Sequence, residues 1–101
     1  MTENIFALLT QEVRGVLAAL VPELPPEALA RVQVEPPRDA AHGDMATNAA
    51  LIAAKPARMP PPKLAAALAE RLLALPMITE ATPAGPGFVN LRLDEDFLRG
   101  Q

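Results

Sequence analysis

Cysteine is absent from the 101 residues, which excludes disulfides, thiolate nucleophiles and cysteine-type metal sites. Such a chain tolerates a reducing compartment, and a cytoplasmic location is expected. Aromatic side chains are nearly as scarce. With no Trp or Tyr and only 3 Phe, the core has to be assembled from Ala, Leu, Val and Ile, a supply that suits small helices packed closely together. No uncharged apolar run reaches the length that spans a bilayer, and Glu3 stands where a secretory leader would carry cations, so a soluble protein without a membrane partner is expected. A surplus of positive charge is missing as well. The formal net charge of -3 argues against holding nucleic acid by diffuse phosphate attraction, and any nucleic-acid contact has to be local.

What is present fits one domain with a modest core. Ile5, Leu9, Val13, Val16 and Leu20 recur at three- and four-residue spacing, with Phe6 and Leu17 widening the stripe. This predicts an amphipathic helix over residues 3 to 20, capped by Thr2. Pro22, Pro25 and Pro26 stop it, and Glu27 to Ala30 can add one turn after Pro26. Val32 and Val34 alternate with Gln33 and Glu35 as a short strand that ends at Pro36 and Pro37. The polar segment from Arg38 to Gly43 is read as a loop. Asp44 can then cap a helix from about Met45 to Ala54 that Pro56 closes, and a brief extended stretch before Asn48 fits equally well.

Pro60, Pro61 and Pro62 suit a helix entrance, and Leu64, Leu68 and Leu72 with interleaved alanines predict a second strong helix through about Ala74. Met77 to Thr82 and Phe88 to Leu93 are apolar-rich runs on either side of Pro83-Ala84-Gly85-Pro86-Gly87, the pattern of a hairpin with a glycine-containing loop. Asp94 caps a last turn from Glu95 to Arg99. The expected fold class is α+β, a two-layer domain with helices packed on one face of a small antiparallel sheet, whose other face meets solvent or a partner.

Within the last strand, Val89, Leu91 and Leu93 share one face while Phe88, Asn90 and Arg92 share the other. A ring, an amide and a guanidinium in a row are the groups that stack on an unpaired base, read its edge and hold a phosphate. Phe6 and Phe97 are committed to helices, which leaves Phe88 as the ring able to stack. The plainer alternative is a covered sheet edge, an amide bonded to a loop and a solvated charge. Asp39, His42 and Asp44 could suggest a metal or a general base, but Gly43 as a turn residue and Asp44 as a cap explain the same letters without chemistry. Neither a catalytic nor a metal site is expected. Gly85-Pro86-Gly87 is too short for a phosphate loop and precedes a strand.

Pro37-Arg38-Asp39, His42-Gly43-Asp44-Met45-Ala46-Thr47-Asn48 and Ala84-Gly85-Pro86-Gly87-Phe88-Val89-Asn90-Leu91, taken together and in this order, resemble the additional amino-terminal domain of arginyl-tRNA synthetases. The resemblance runs along nearly the whole chain. It implies an α+β domain that inspects the tRNA D-loop while a separate domain activates arginine with ATP and Mg. It also implies that Phe88 and Asn90 hold a D-loop base, with Phe here where some members carry Tyr, so stacking must act without a phenolic hydroxyl. Arg92 joins them as the phosphate-holding candidate, and Gly43, Asp44, Asn48, Gly85 and Gly87 are the structural residues of the two motifs. The class I catalytic signatures have no counterpart, since His42 is the one histidine and neither Lys55 nor Lys63 begins the lysine motif. Residues 1–93 are therefore expected to form the tRNA-binding domain and 94–101 the start of a helix or linker toward a catalytic domain. The rival expectation is a protein-interaction domain with Phe88 as its anchor and no RNA role.

Overall fold

The computed structural model describes residues 2–36 and 43–99. The apolar stripe of the amino-terminal segment forms α1 (Thr2–Leu20), which buries Ile5, Leu9, Val13 and Leu17 and begins at Thr2 itself rather than after it. A single turn, α2 (Pro26–Leu29), follows with Pro at its entrance. The guanidinium of Arg14 then ties α1 to the next segment, its Nη2 donating to the carbonyls of Ala30 at 3.0 Å and Val32 at 3.1 Å. The first strand, β1 (Val34–Glu35), is shorter than the alternation implied: Val32 is buried but lies outside the ladder.

Asp44 does not cap a helix. Residues Met45–Thr47 form β2, and the helix α3 (Ala49–Ala57) starts only after Asn48. The extended alternative prevails because Met45, Ala46 and Thr47 pair with both β1 and the last strand, two ladders that a helix there would forfeit. Nor does Pro56 close α3, which carries it inside its last turn and ends at Arg58 in the left-handed conformation. A proline near the carboxyl end of so short a helix removes one hydrogen bond without breaking several. The expected polar loop, with Arg38, Asp39 and His42, lies outside the described residues apart from Gly43.

Helix α4 (Pro61–Leu72) enters through prolines and buries Leu64, Ala65, Leu68, Ala69 and Leu72. The hairpin follows as β3 (Ile78–Ala84) and β4 (Phe88–Leu93), and a final turn, α5 (Glu95–Arg99), begins where the Asp94 carboxylate accepts the Phe97 N–H at 3.3 Å. The strand runs on through Pro83 and Ala84, so the connection is three residues rather than five. Pro83 is tolerated because β3 lies at the edge of the sheet, where no neighbour needs its missing donor.

The four strands stand in the order β1-β2-β4-β3, all antiparallel. Their covered face carries Val34, Met45, Thr47, Ile78, Val89, Leu91 and Leu93 against α1, α3 and α4, and one core fills that space. The result is the expected α+β two-layer domain. Ala49, Ala50, Ala53 and Ala54 of α3 are all buried, so small side chains bring this helix close to its neighbours, as the shortage of rings requires.

Candidate nucleic-acid interface

On β4 the two-residue period separates two kinds of surface. Val89 and Leu91 are fully buried and Leu93 is 4% exposed, whereas Phe88, Asn90 and Arg92 are half-buried on the opposite face. Those three stand in a row with successive members roughly 7 Å apart, two strand rises. Antiparallel register sets their neighbours. Ala84 lies across from Phe88, Ala46 and Thr82 flank Asn90, and Glu80 faces Arg92. Small side chains beside the ring and the amide leave both approachable from solvent. Phe6 and Phe97 pack against the core, on the other side of the sheet from Phe88.

Arg92 does not stand alone. Its Nε lies 3.6 Å from Oε1 of Glu80, with 42% and 65% of the two side chains exposed. An ion pair this open to water is worth ~1 kcal/mol or less, so exchange of the carboxylate for another anion is cheap. The turn sets this pair, because the register runs unbroken from Ala84 and Phe88 to Glu80 and Arg92; a bulge at Thr79 lies beyond it and lets Ile78 pair with Leu93 on the covered face. The extra residue shifts the alternation by one. The Thr79 hydroxyl then donates to the Arg92 carbonyl at 3.1 Å.

The motif residues outside the row have structural work. Gly43, at φ 144, lies so near β4 that an added Cβ would sit 2.7 Å from the Leu91 carbonyl oxygen. Asp44 binds the same strand twice, its N–H donating to the Leu91 carbonyl at 2.8 Å and its carboxylate accepting the Leu93 N–H at 2.9 Å. Asn48 joins the β2–α3 junction to the segment before β1, accepting the Gln33 N–H at 2.8 Å and donating to the Arg31 carbonyl at 3.3 Å. Gly85 takes the turn at φ 56. Gly87 is pressed against α3: its carbonyl accepts the Leu51 N–H at 2.9 Å, and an added Cβ would meet the Leu51 Cα at 2.8 Å. Gly43 and Asp44 thus fix β4 from one side and Gly87 fixes its start against α3, while Asn48 ties down the neighbouring segment. Among the described residues no cluster of His, Asp or Glu could hold a metal ion.

A family model described as the arginyl tRNA synthetase N terminal domain matches residues 7–93. The chain belongs to that family. Among its relatives, the arginine–tRNA ligase of Gluconobacter oxydans (strain 621H) is 50% identical over 99 residues, which are 98% of this chain and 16% of that protein. The arginine–tRNA ligase of Methylorubrum extorquens (strain PA1) is 57% identical over 93 residues, 89% of this chain and again 16% of the relative. The same fold occurs in a solved Thermus thermophilus arginyl-tRNA synthetase, with a TM-score of 0.70 at 27% identity, covering 93% of this chain and 15% of that one. The chain therefore spans about a sixth of the ligases it matches, the part that carries this family's domain.

Sequence reasoning missed Glu80 as the partner of Arg92 and Arg14 as the clamp on α1. The first was hidden because a five-residue loop gives the wrong register, and a three-residue loop ending at Gly87 pairs Ala84 with Phe88 and so Glu80 with Arg92. The second has no sequence signal, since its partners are backbone carbonyls 16 and 18 residues away.

Proposed function

We propose that this domain reads the D-loop of a tRNA within an arginine–tRNA ligase, with ligation by ATP and Mg carried out by a catalytic domain that these residues do not include. Phe88 stacks on an unpaired base, Asn90 bonds the edge of that base, and Arg92 exchanges Glu80 for a phosphate. Residues 1–93 would act as the tRNA-binding unit, with 94–101 leading toward the rest of the enzyme. The observation that carries this proposal is the half-buried row on β4, flanked by Ala46, Thr82 and Ala84 and backed by a fully packed core. A rigid platform with an approachable ring and amide fits base capture at little ordering expense.

The test is charging of tRNAs that differ only at the D-loop base, by the ligase carrying this domain. Phe88→Ala is expected to lower charging efficiency by about tenfold or more, the equivalent of the ~1 to 3 kcal/mol that base stacking contributes. Asn90→Ala is expected to lose less but to flatten the preference among bases, because edge contacts discriminate where stacking accepts any ring. Arginine activation without tRNA should stay unchanged. An Asn90→Ala enzyme that keeps the wild-type ranking would remove the reading role from Asn90. Glu35 and Glu80 on the same face give the rival, a protein partner anchored by Phe88, its specific support. That rival expects Phe88→Ala to leave charging intact.

A further inference from the structure

Charge is not spread evenly over the chain. Residues 45–69 contain three basic side chains, Lys55, Arg58 and Lys63, and none of the 12 acidic ones, although the whole chain carries -3. Both lysines of the protein are in that stretch. The fold gathers the three at one place, the elbow where α3 ends and α4 begins, and leaves all of them exposed. Among the described residues none of the three has an ion-pair partner; the pair between Arg92 and Glu80 lies on the sheet.

Local stability accounts for only part of this charge: the carboxyl end of α3 favours cations, the amino-terminal end of α4 does not. Lys55, in the last turn of α3, suits the negative end of the helix dipole. The other two oppose local preference. Arg58 occupies the left-handed position after the helix, φ 57 and ψ 42, where Gly or Asn is the ordinary occupant, and its N–H donates to the Lys55 carbonyl at 3.0 Å. Lys63 stands in the first turn of α4, where a carboxylate would be favoured, and that turn holds no acidic residue. Both departures add positive charge to the same elbow. Pro60, Pro61 and Pro62 stiffen the connection between them, so the backbone positions that carry the cations are fixed before anything binds.

We propose that the α3–α4 elbow is a second contact for the same RNA, one that grips phosphates through Lys55, Arg58 and Lys63 and carries no base preference. The inference rests on the tRNA reading of the domain but not on Phe88, Asn90 or Arg92. The amino-terminal end of α3 touches the β3–β4 turn through Leu51 and Gly87, next to Phe88. From Leu51 the end of α3 at Ala57 and Arg58 lies roughly 10 Å farther along, a span of about three stacked nucleotides. Division of labour follows. The sheet row reads a base, and the elbow supplies the local positive charge that the acidic chain otherwise lacks.

The 101-residue chain, labelled with nitrogen-15, would be titrated with an arginine-accepting tRNA transcript and its amide shifts and dissociation constant followed at several salt concentrations. The amides of Lys55, Ala57, Arg58, Met59 and Lys63 are expected to shift. Combining Lys55→Gln, Arg58→Gln and Lys63→Gln should abolish those shifts and reduce the slope of log affinity against log salt by about 2 to 3 units, one phosphate for each cation. All three side chains are exposed, and an unchanged free spectrum would show the variant folded. Phe88→Ala should weaken binding and leave the slope alone. A triple variant with the wild-type slope, or no shift at the elbow at any tRNA concentration, overturns the proposal. Loss of affinity in Phe88→Ala alone would overturn the elbow and keep the sheet row, and loss in the triple variant alone would do the reverse. Polyglutamate competing at the elbow as well as the tRNA does would assign the patch to an acidic protein partner and likewise overturn it.

Discussion

The two faces of β4 differ by one residue in phase and by everything in consequence. Val89, Leu91 and Leu93 disappear under α1, α3 and α4, while Phe88, Asn90 and Arg92 on the same six-residue strand remain within reach of solvent. One strand therefore supplies both the core and the candidate binding row. Separation of this kind lets residues on the open face vary in chemistry without loss of the fold, because the covered face and its neighbours carry the stability. It also means that any distortion of β4 moves the candidate site.

The largest expected effect lies on the covered face. Leu91→Ala should lower unfolding free energy by about 2 to 5 kcal/mol, since a fully buried leucine leaves a cavity that its neighbours fill only in part. Leu68→Ala, equally buried on α4, should fall in the same range. Urea denaturation checks both, and Phe88→Ala measured beside them should lose clearly less. The comparison breaks if Phe88→Ala unfolds the chain as readily as Leu91→Ala.

An intermediate effect is expected at the end of the strand. Gly87→Ala places a Cβ within 2.9 Å of three Leu51 atoms, two of them backbone, so α3 or the turn has to shift. The expected loss is about 1 to 3 kcal/mol. Because the shift also moves Phe88, tRNA charging should fall beyond what the lost stability explains at a temperature where the variant stays folded. Charging that follows the folded fraction alone would separate the turn from the row.

The smallest effect belongs to the ion pair on the open face. Glu80→Gln should alter stability by less than about 1 kcal/mol, as exposed pairs do. If Arg92 has to release Glu80 before it holds a phosphate, the same variant should bind tRNA slightly more tightly at low salt. Weaker binding in Glu80→Gln would mean that the carboxylate positions Arg92 rather than competing for it.

Much of this was legible from residue order. The stripes of α1 and α4, the hairpin, the turn after Asp94 and the division of β4 into two faces follow from periods of 3.6 and 2 residues, which are local geometry. The motif glycines could be picked out, but not what they approach. Gly43 and Gly87 matter because Leu91 and Leu51 lie against them, and contact with a distant segment leaves no mark in the local pattern. The same limit left helix and extended stretch equally open at residues 45–47. An N-cap residue followed by small apolar side chains is compatible with a helix, and only the two flanking strands make an extended conformation worth more.

The sequence by itself determined the class of fold, the core-forming stripes and the row Phe88, Asn90, Arg92, because each depends on side-chain spacing along one element. Tertiary structure alone decided the fate of Asp44, bound to β4 instead of capping a helix, and the bulge at Thr79 that returns Ile78 to the covered face beyond the Glu80–Arg92 pair. It alone aimed Arg14 at the carbonyls of Ala30 and Val32. The physical reason is common to all three. Each is settled by a pairing or a close approach between segments, whose free energy exists only once the chain has folded back on itself.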